Sequence, residues 1–451
     1  MARPKSTSNA PAPDGLAPRT LILDNGAHTI KAGFSTPSTD ANPDTDTDCH
    51  TIPNCIARSH RDKRTYVGPE LAECVDFGEV AFRRPVEKGY IVNWESEKAV
   101  WEQTLFGKTA VLPCDPHETN LILTEAPNAP AVLQRNADEM VFEEFGFAGY
   151  YRTTAPLLNA YAPSPFPSTA ASPSGVPLEC LLVVDAGHSH TTITPLYRGR
   201  PLHTACRRLE VGGKTLTNQM KELISRTFDV HHEDWLVGEI KEDICYVSQA
   251  FNDDLEKVWK GGRYDRRDID PSVVVDYVLP DYETIKRGFA RPHDPSVNLR
   301  SRAMNIIGME GGRREHILTI GNERFVAPEL LFTPSDIGMQ QEGVCGTILQ
   351  SLNALPAGLR QAFLANIVVV GGTSKTPGLV TRLEAELRCL VDDELLVRVA
   401  RAEDPVKNAW LGGARMAQNE GLMREVVVTR AEYLEHGDQW VRRKFAGKVG
   451  R

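Results

Sequence analysis

The chain reads as an α/β protein built from two related halves, and three stretches say so. Residues 21–34, LILDNGAHTIKAGF, run as an apolar strand into Asp24-Asn25-Gly26, turn, and leave in a second strand-like run. Residues 181–197, LLVVDAGHSHTTITPLY, repeat the pattern about 160 residues later through Asp185 and Gly187. A third apolar run, IVVVGGTSKTPG at 367–378, ends on Gly371 and Gly372. A single Asp-x-Gly turn closes many hairpins that hold nothing. Two in order, followed by a Gly-Gly turn in the second half, are what a chain needs to hold a nucleotide between halves. Glycine lets backbone N–H groups approach phosphate, and a carboxylate serves a hydrated divalent cation.

Taken along the chain, strand-like pieces fall at 20–24, 121–124, 181–184, 191–197, 273–278 and 367–370. Helical periodicity lies between them. Glu95–Phe106 places Val100, Trp101, Leu105 and Phe106 near one face. Lys214–Thr227 and Val237–Phe251 read as further amphipathic helices, and Pro377–Leu387 opens with a proline near its first turn. Strands alternating with helices imply α/β layers. The expected organisation is a disordered N-terminus over 1–17, a first half over 18–163, and a Pro/Ser-rich insertion over 164–178. A second half over 179–406 carries a polar insertion at 261–315, and 407–451 returns to the first half. Polar loops are expected at 35–50, 162–178, 261–272 and 291–315, where partner contacts are commonly placed.

Composition bounds the function. With 451 residues the chain can bury a large core, and 41% apolar with 25% charged residues is ordinary for a globular protein. A net charge of −9 argues against a broad basic surface for nucleic acid. One local basic cluster remains, Arg58, Arg61, Lys63 and Arg64, for which a solvated charge run outweighs phosphate contact. The nine cysteines are scattered with no Cys-x-x-Cys, so neither a zinc site nor a secreted disulfide framework is indicated. A reducing compartment is the expectation. No apolar run reaches membrane-spanning length, and the N-terminus has no apolar signal core. His231-His232 lacks ligands at metal spacing, and no Gly-x-Ser-x-Gly, HExxH or Cys-His dyad appears.

Asp24 and Asp185 each end an apolar strand, and on the functional reading they flank the metal-bound phosphates of a nucleotide. The alternative is a side chain that caps its own turn. Their pairing favours the ligand. Asn25, Gly26 and Gly187 supply the turns, and Lys31 offers a point charge for a phosphate oxygen. Gly371, Gly372 and Thr373 suit a backbone turn passing the adenosine or first phosphate. Lys241 and Glu242 can flank base and ribose, although alone they read as a solvated helix face.

These residues resemble the actin superfamily. LILDNGAHTIKAGF is similar to its first phosphate loop, VDAGHSHTTITPLYRGRPL to its second, and IVVVGGTSKTPGLVTRLEAEL to its adenosine segment. IVNWESEKAVWEQTLF, IKEDICYVSQAF, GNERFVAPELLFTPSDIGM and NAWLGGARMA match in order, so the likeness runs from about residue 18 to 420. RLEVGGKTLTNQMKELIS, VVVDYVLPDYETIKRGF and VVVTRAEYLEHG narrow it to the actin-related protein 6 family. The resemblance implies an actin fold, two ribonuclease-H-like halves forming four subdomains around a nucleotide cleft. It also implies a non-filamentous nuclear subunit of a Swr-type chromatin remodeller, which exchanges a variant histone into nucleosomes. The implied partners are remodeller subunits, including a zinc-finger HIT protein and the remodeller ATPase, and nucleosomal histones. DNA contact would be weak or indirect, with no membrane and no self-filament.

Departures from actin carry as much as matches. Ala27 lacks the hydroxyl expected there, and His28 is bulky where backbone should approach phosphate. In the second loop the expected second Asp falls on His188, the second Gly on Ser189, and the water-positioning His on Thr192. The water-orienting hinge Gln falls near Ala155. Hydrolysis is mainly positioning plus electrostatics, so negligible turnover is expected. ATP or ADP, with or without Mg2+, would be a structural ligand, or the cleft would be empty. The loop between Asn54 and Gly68 is shorter than the actin segment that enters the next filament subunit, which argues against polymerisation. The alternatives are an active actin-fold ATPase or kinase, and a cytoplasmic actin-related complex subunit.

Overall fold

Two sheets repeat one plan. The computed structural model describes residues 15–35, 49–61, 63–78, 80–107, 109–166, 178–230, 233–259, 261–262, 265–267, 270–296 and 315–446. The first sheet is built on the hairpin of Arg19–Asn25 and Thr29–Ser35. Thr119–Glu125 lies parallel beside its first strand, and Gly149–Thr154 lies parallel beyond that. The second sheet is built on the hairpin of Cys180–Ala186 and Thr191–Tyr197. Ile367–Val370 lies parallel beside its first strand, and Val399–Arg401 lies parallel beyond. Each hairpin's second strand pairs outward with an antiparallel strand, His50–Pro53 in one sheet and Arg207–Leu209 in the other. The chain is thus an α/β protein whose two halves share one sheet plan.

The central strands are apolar because both faces of each sheet are covered. Leu21, Ile22 and Leu23 are buried, as are Leu182, Val183 and Val184. Leu21 and Leu23 face Trp101 and Phe142, whereas Ile22 faces Leu158 and Trp410 on the opposite side. Leu182 and Val184 pack against Ile348 and Phe363, whereas Val183 packs against Val368 and Val370. Residues near the C-terminus complete the first sheet. Val428 and Thr429 pair with Gly149 and Tyr150, and helix Asn408–Ala417 lies against Ala155–Asn159. Gly412 permits that approach, since a Cβ there would run into the Leu158 carbonyl.

Several expectations change in detail. The helix expected over 95–106 is α-helical over Trp94–Trp101 and opens into a wider π turn over Glu102–Phe106. Its start is fixed by Asn93, whose side chain accepts from the Ser96 N–H. The single helix expected over Val237–Phe251 is two, Asp234–Ile244 and Phe251–Val258. The break forms because the Tyr246 and Val247 N–H groups donate to the carbonyls of Arg324 and Pro377 instead of continuing the helix. The helix expected from Pro377 begins at Leu379.

The span 261–315 is not uniformly a polar insertion. Val275–Val278 forms the centre of a three-stranded sheet with Phe289–Pro292 and Ile317–Ile320, and Tyr277 is fully buried there. The expectations for 1–14, 36–48, 167–177, His231-His232 and 297–314 lie outside the described residues. Among the described residues no helix is long and apolar enough to cross a membrane.

Candidate functional site: a cleft between two hairpin turns

Each half contributes one turn. In the first hairpin the register places Asp24 opposite Lys31, and Lys31 Nζ lies 3.5 Å from Asp24 Oδ2. The same ammonium donates to the Thr29 carbonyl at 3.4 Å. Thr124 Oγ1, on the neighbouring parallel strand, donates to Asp24 Oδ1 at 2.9 Å and accepts from the Asn25 N–H at 2.8 Å. The Gly26 N–H donates back to the Asp24 carbonyl. A Cβ on Gly26 would stand 2.6 Å from the Thr29 carbonyl oxygen, so the turn is closed to larger residues.

A buried acid lies beneath this turn. Glu97 Oε1 accepts from Trp101 Nε1 at 3.0 Å, and Asn54 Nδ2 reaches both Glu97 oxygens and the Gly26 carbonyl. Trp101 Nε1 also donates to Asn25 Oδ1 at 3.3 Å. Burial pushes the Glu97 carboxyl up to about 7, against hydrogen bonds that favour its ionised form.

The second turn is tied to the Gly-Gly segment. Asp185 pairs across its hairpin with Thr192 and, in parallel, with Val370. Burial, reinforced by the charge of Asp24 and opposed by Lys31, lifts the Asp185 carboxyl to about 6. The two acids therefore sense one another across the cleft. The Gly187 carbonyl accepts from Thr373 Oγ1 at 2.9 Å and from the Gly213 N–H at 3.0 Å. Gly371 holds φ of +88°, and a Cβ there would stand 2.7 Å from Asp185 Oδ1. A Cβ on Gly372 would meet only open space. Lys241 does not stand free as a base-flanking cation. It donates to Thr217 Oγ1 at 2.9 Å and to the Gly213 carbonyl at 3.3 Å, and burial pulls its ammonium down.

All the residues singled out line one cavity of about 1000 Å3: Asp24, Asn25, Gly26, Lys31, Asp185, Gly187, Lys241, Glu242, Gly371, Gly372 and Thr373. So do the residues that depart from actin, Ala27, His28, Ala155, His188, Ser189 and Thr192. The two imidazoles, one from each turn, meet within it. The ring centroids of His28 and His188 are 4.8 Å apart and tilted by 37°. Burial, with Arg84 and Lys241 nearby, holds His28 down to about 3 and His188 to about 2, so both are neutral at pH 7. Among the described residues, His28 Nδ1, His188 Nε2 and Thr192 Oγ1 are buried without a hydrogen-bond partner.

Reasoning from sequence missed Glu97, Thr124, Arg84 and the mouth of the cleft. Arg84 donates to the His28 carbonyl at 3.2 Å. At one side of the mouth Trp235 stacks on Phe77 at 4.5 Å and on Phe82 at 5.6 Å, with interplanar angles of 8° and 13°. At another, Arg208 donates to the Lys88 carbonyl at 2.8 Å and to the Tyr90 hydroxyl at 3.2 Å, while Gly89 lies against the His190 ring. Glu97 had one signal, an acid four residues before a core tryptophan on one helix face. The others join residues distant in sequence.

Paired sheets of one plan, with two facing Asp turns and a glycine pair between them, define the actin class. The chain belongs to the actin family, whose model, described as Actin, matches residues 15–446. Within it the chain is similar to proteins named actin-related protein 6 or actin-like protein arp6. It is 49% identical to the one from Neurospora crassa, over 99% of this chain and 98% of that protein. The one from Aspergillus fumigatus is 46% identical, over 99% of both chains. The Drosophila melanogaster protein is 37% identical over 95% of this chain and 100% of its own length.

The cleft fits a nucleotide unevenly. The turns, the open approach at Gly372 and the unpartnered polar atoms suit a polar ligand. The ring contact lies between the two turns, where a phosphate tail would pass.

Proposed function

We propose that this chain is a structural and interaction subunit of an ATP-dependent chromatin-remodelling complex that exchanges a variant histone into nucleosomes. In this reading it resides in the nucleus and does not form filaments. Nucleotide, where bound, is a structural ligand with negligible turnover. The full-length similarity to proteins named actin-related protein 6 supports the subunit reading, and the contact of His28 with His188 between the phosphate turns carries the expectation of negligible turnover. Hydrolysis needs an oriented water in line with the terminal phosphate. Thr192 and Ala155, which line the cavity where the resemblance implies water-positioning groups, are not general bases. Lys31 would meet a nucleotide's charged end, and Gly371–Thr373 its nucleoside end.

The proposed partners are a zinc-finger HIT protein, the remodeller ATPase and nucleosomal histones. Direct DNA contact through Arg58–Arg64 is weak in this reading, because Arg61 pairs with Asp76 at 2.5 Å and Arg64 with Glu73 at 3.8 Å. The test has two arms. Tagged protein should co-purify with remodeller subunits, and purified protein should release no phosphate from ATP beyond the uncatalysed rate. Actin or dynein–dynactin components in the eluate, or steady turnover, would overturn the reading.

A further inference from the structure

We infer that the cleft is a site for a short-tailed ligand, a nucleoside or nucleoside monophosphate, held without a divalent cation. The inference rests on the reading of the cleft as a nucleotide site and narrows what that site accepts. Four observations carry it. First, the turns that would cradle phosphate each present an imidazole, and the two rings touch, with centroids 4.8 Å apart. No phosphate passes between rings in contact, so a longer tail must part them. Second, both oxygens of Asp24 are engaged, one by Thr124 and one by Lys31. Third, a magnesium ion draws on phosphates of a tail besides one or two carboxylates, and here the tail's place is filled by the ring pair. Fourth, the nucleoside end is preserved. The Gly-Gly segment is anchored by Thr373 to Gly187, Gly372 opens onto free space, and the cavity of about 1000 Å3 has ample room for a base and sugar.

The chemistry follows from neutrality. Uncharged imidazoles do not attract a polyphosphate as Lys or Arg does. Each neutral ring still offers one N–H and one lone pair, and His28 Nδ1 and His188 Nε2 are unpartnered. A ribose hydroxyl or a single phosphate at the edge of the ring pair can satisfy them without separating the rings.

The test uses the full chain, freed of bound nucleotide, in isothermal titration with adenosine, AMP, ADP and ATP. Each ligand is run with magnesium and with EDTA. Adenosine and AMP should bind, ADP and ATP should bind about tenfold or more weakly than AMP, and EDTA should change none of these affinities. In His28→Gly the tail regains its path, and ATP should gain about tenfold over AMP. A His28→Gly/His188→Asp variant should add dependence on magnesium, and the single variant suffices where the double one does not fold. Magnesium-ATP binding the wild type as tightly as AMP, or tighter, overturns the inference. So does a failure of adenosine and AMP to bind, and so does an unchanged tail preference in His28→Gly. None of these results touches the scaffold reading, which falls on turnover or on the wrong co-purifying partners.

Discussion

Glu97 shows how one residue couples the core to the cleft. It is fully buried, and its carboxyl supports the Asn25–Gly26 turn through Trp101 and Asn54. Folded, it titrates at about 7, and unfolded near 4.5. The folded state therefore holds a proton that the unfolded state has lost across that window. This contribution is complete below the unfolded value and is lost as pH rises toward 7. Glu97→Gln stays neutral throughout. Its stability relative to wild type should therefore be greater at pH 7.5 than at pH 5.5, as read from urea denaturation midpoints. An equal difference at both values would remove the coupling. Asp24 and Lys31 were legible as residues of one strand-turn-strand motif, whereas their ion pair across it emerged only with the hairpin register. Glu97 was not, since an isolated acid in a helix pattern reads as exposed until the fold shows what covers it.

Elements in this molecule are held by a few close approaches. Arg152, on the strand Gly149–Thr154, is buried beside Glu125 at 3.3 Å and in contact with Asp138. Arg152→Met would strand the buried Asp138 carboxylate and the half-buried Glu125 beside it, and should cost about 3 kcal/mol or more in a urea titration. The helix Asn408–Ala417 crosses Ala155–Asn159 through Gly412. Gly412→Ala should lower stability by about 1–3 kcal/mol, because the helix must retreat from the Leu158 carbonyl. The central strands were legible from their apolar runs, and their bounds moved by a residue or two. The split of Val237–Phe251 was not, because its cause is backbone bonding to Arg324 and Pro377, well over a hundred residues further on for the latter. No periodicity within the segment reports a partner elsewhere in the chain.

Across the whole molecule, the repeat of one sheet plan was visible in the two Asp-turn motifs, while the bridging of the cleft mouth was not. Phe77, Phe82 and Trp235 are ordinary aromatics in sequence, and only the fold stacks them. Such stacks contribute about 0.5–1.5 kcal/mol beyond their buried area. Trp235→Ala should therefore loosen the mouth. Hydrogen exchange at the amides of the turns near Gly26 and Gly187 should quicken by roughly tenfold, while the central strands Leu21–Leu23 and Leu182–Val184 keep their protection. Equal exchange in both proteins would show that the stack does not hold the halves together.

The bridged mouth also bears on when the cleft is filled. With aromatic stacking at one side and the Arg208 contacts at another, entry after folding has to break contacts between the halves. A ligand therefore crosses the mouth only while the halves part, and its release should quicken in Trp235→Ala, as read by a stopped-flow chase of a bound fluorescent nucleoside.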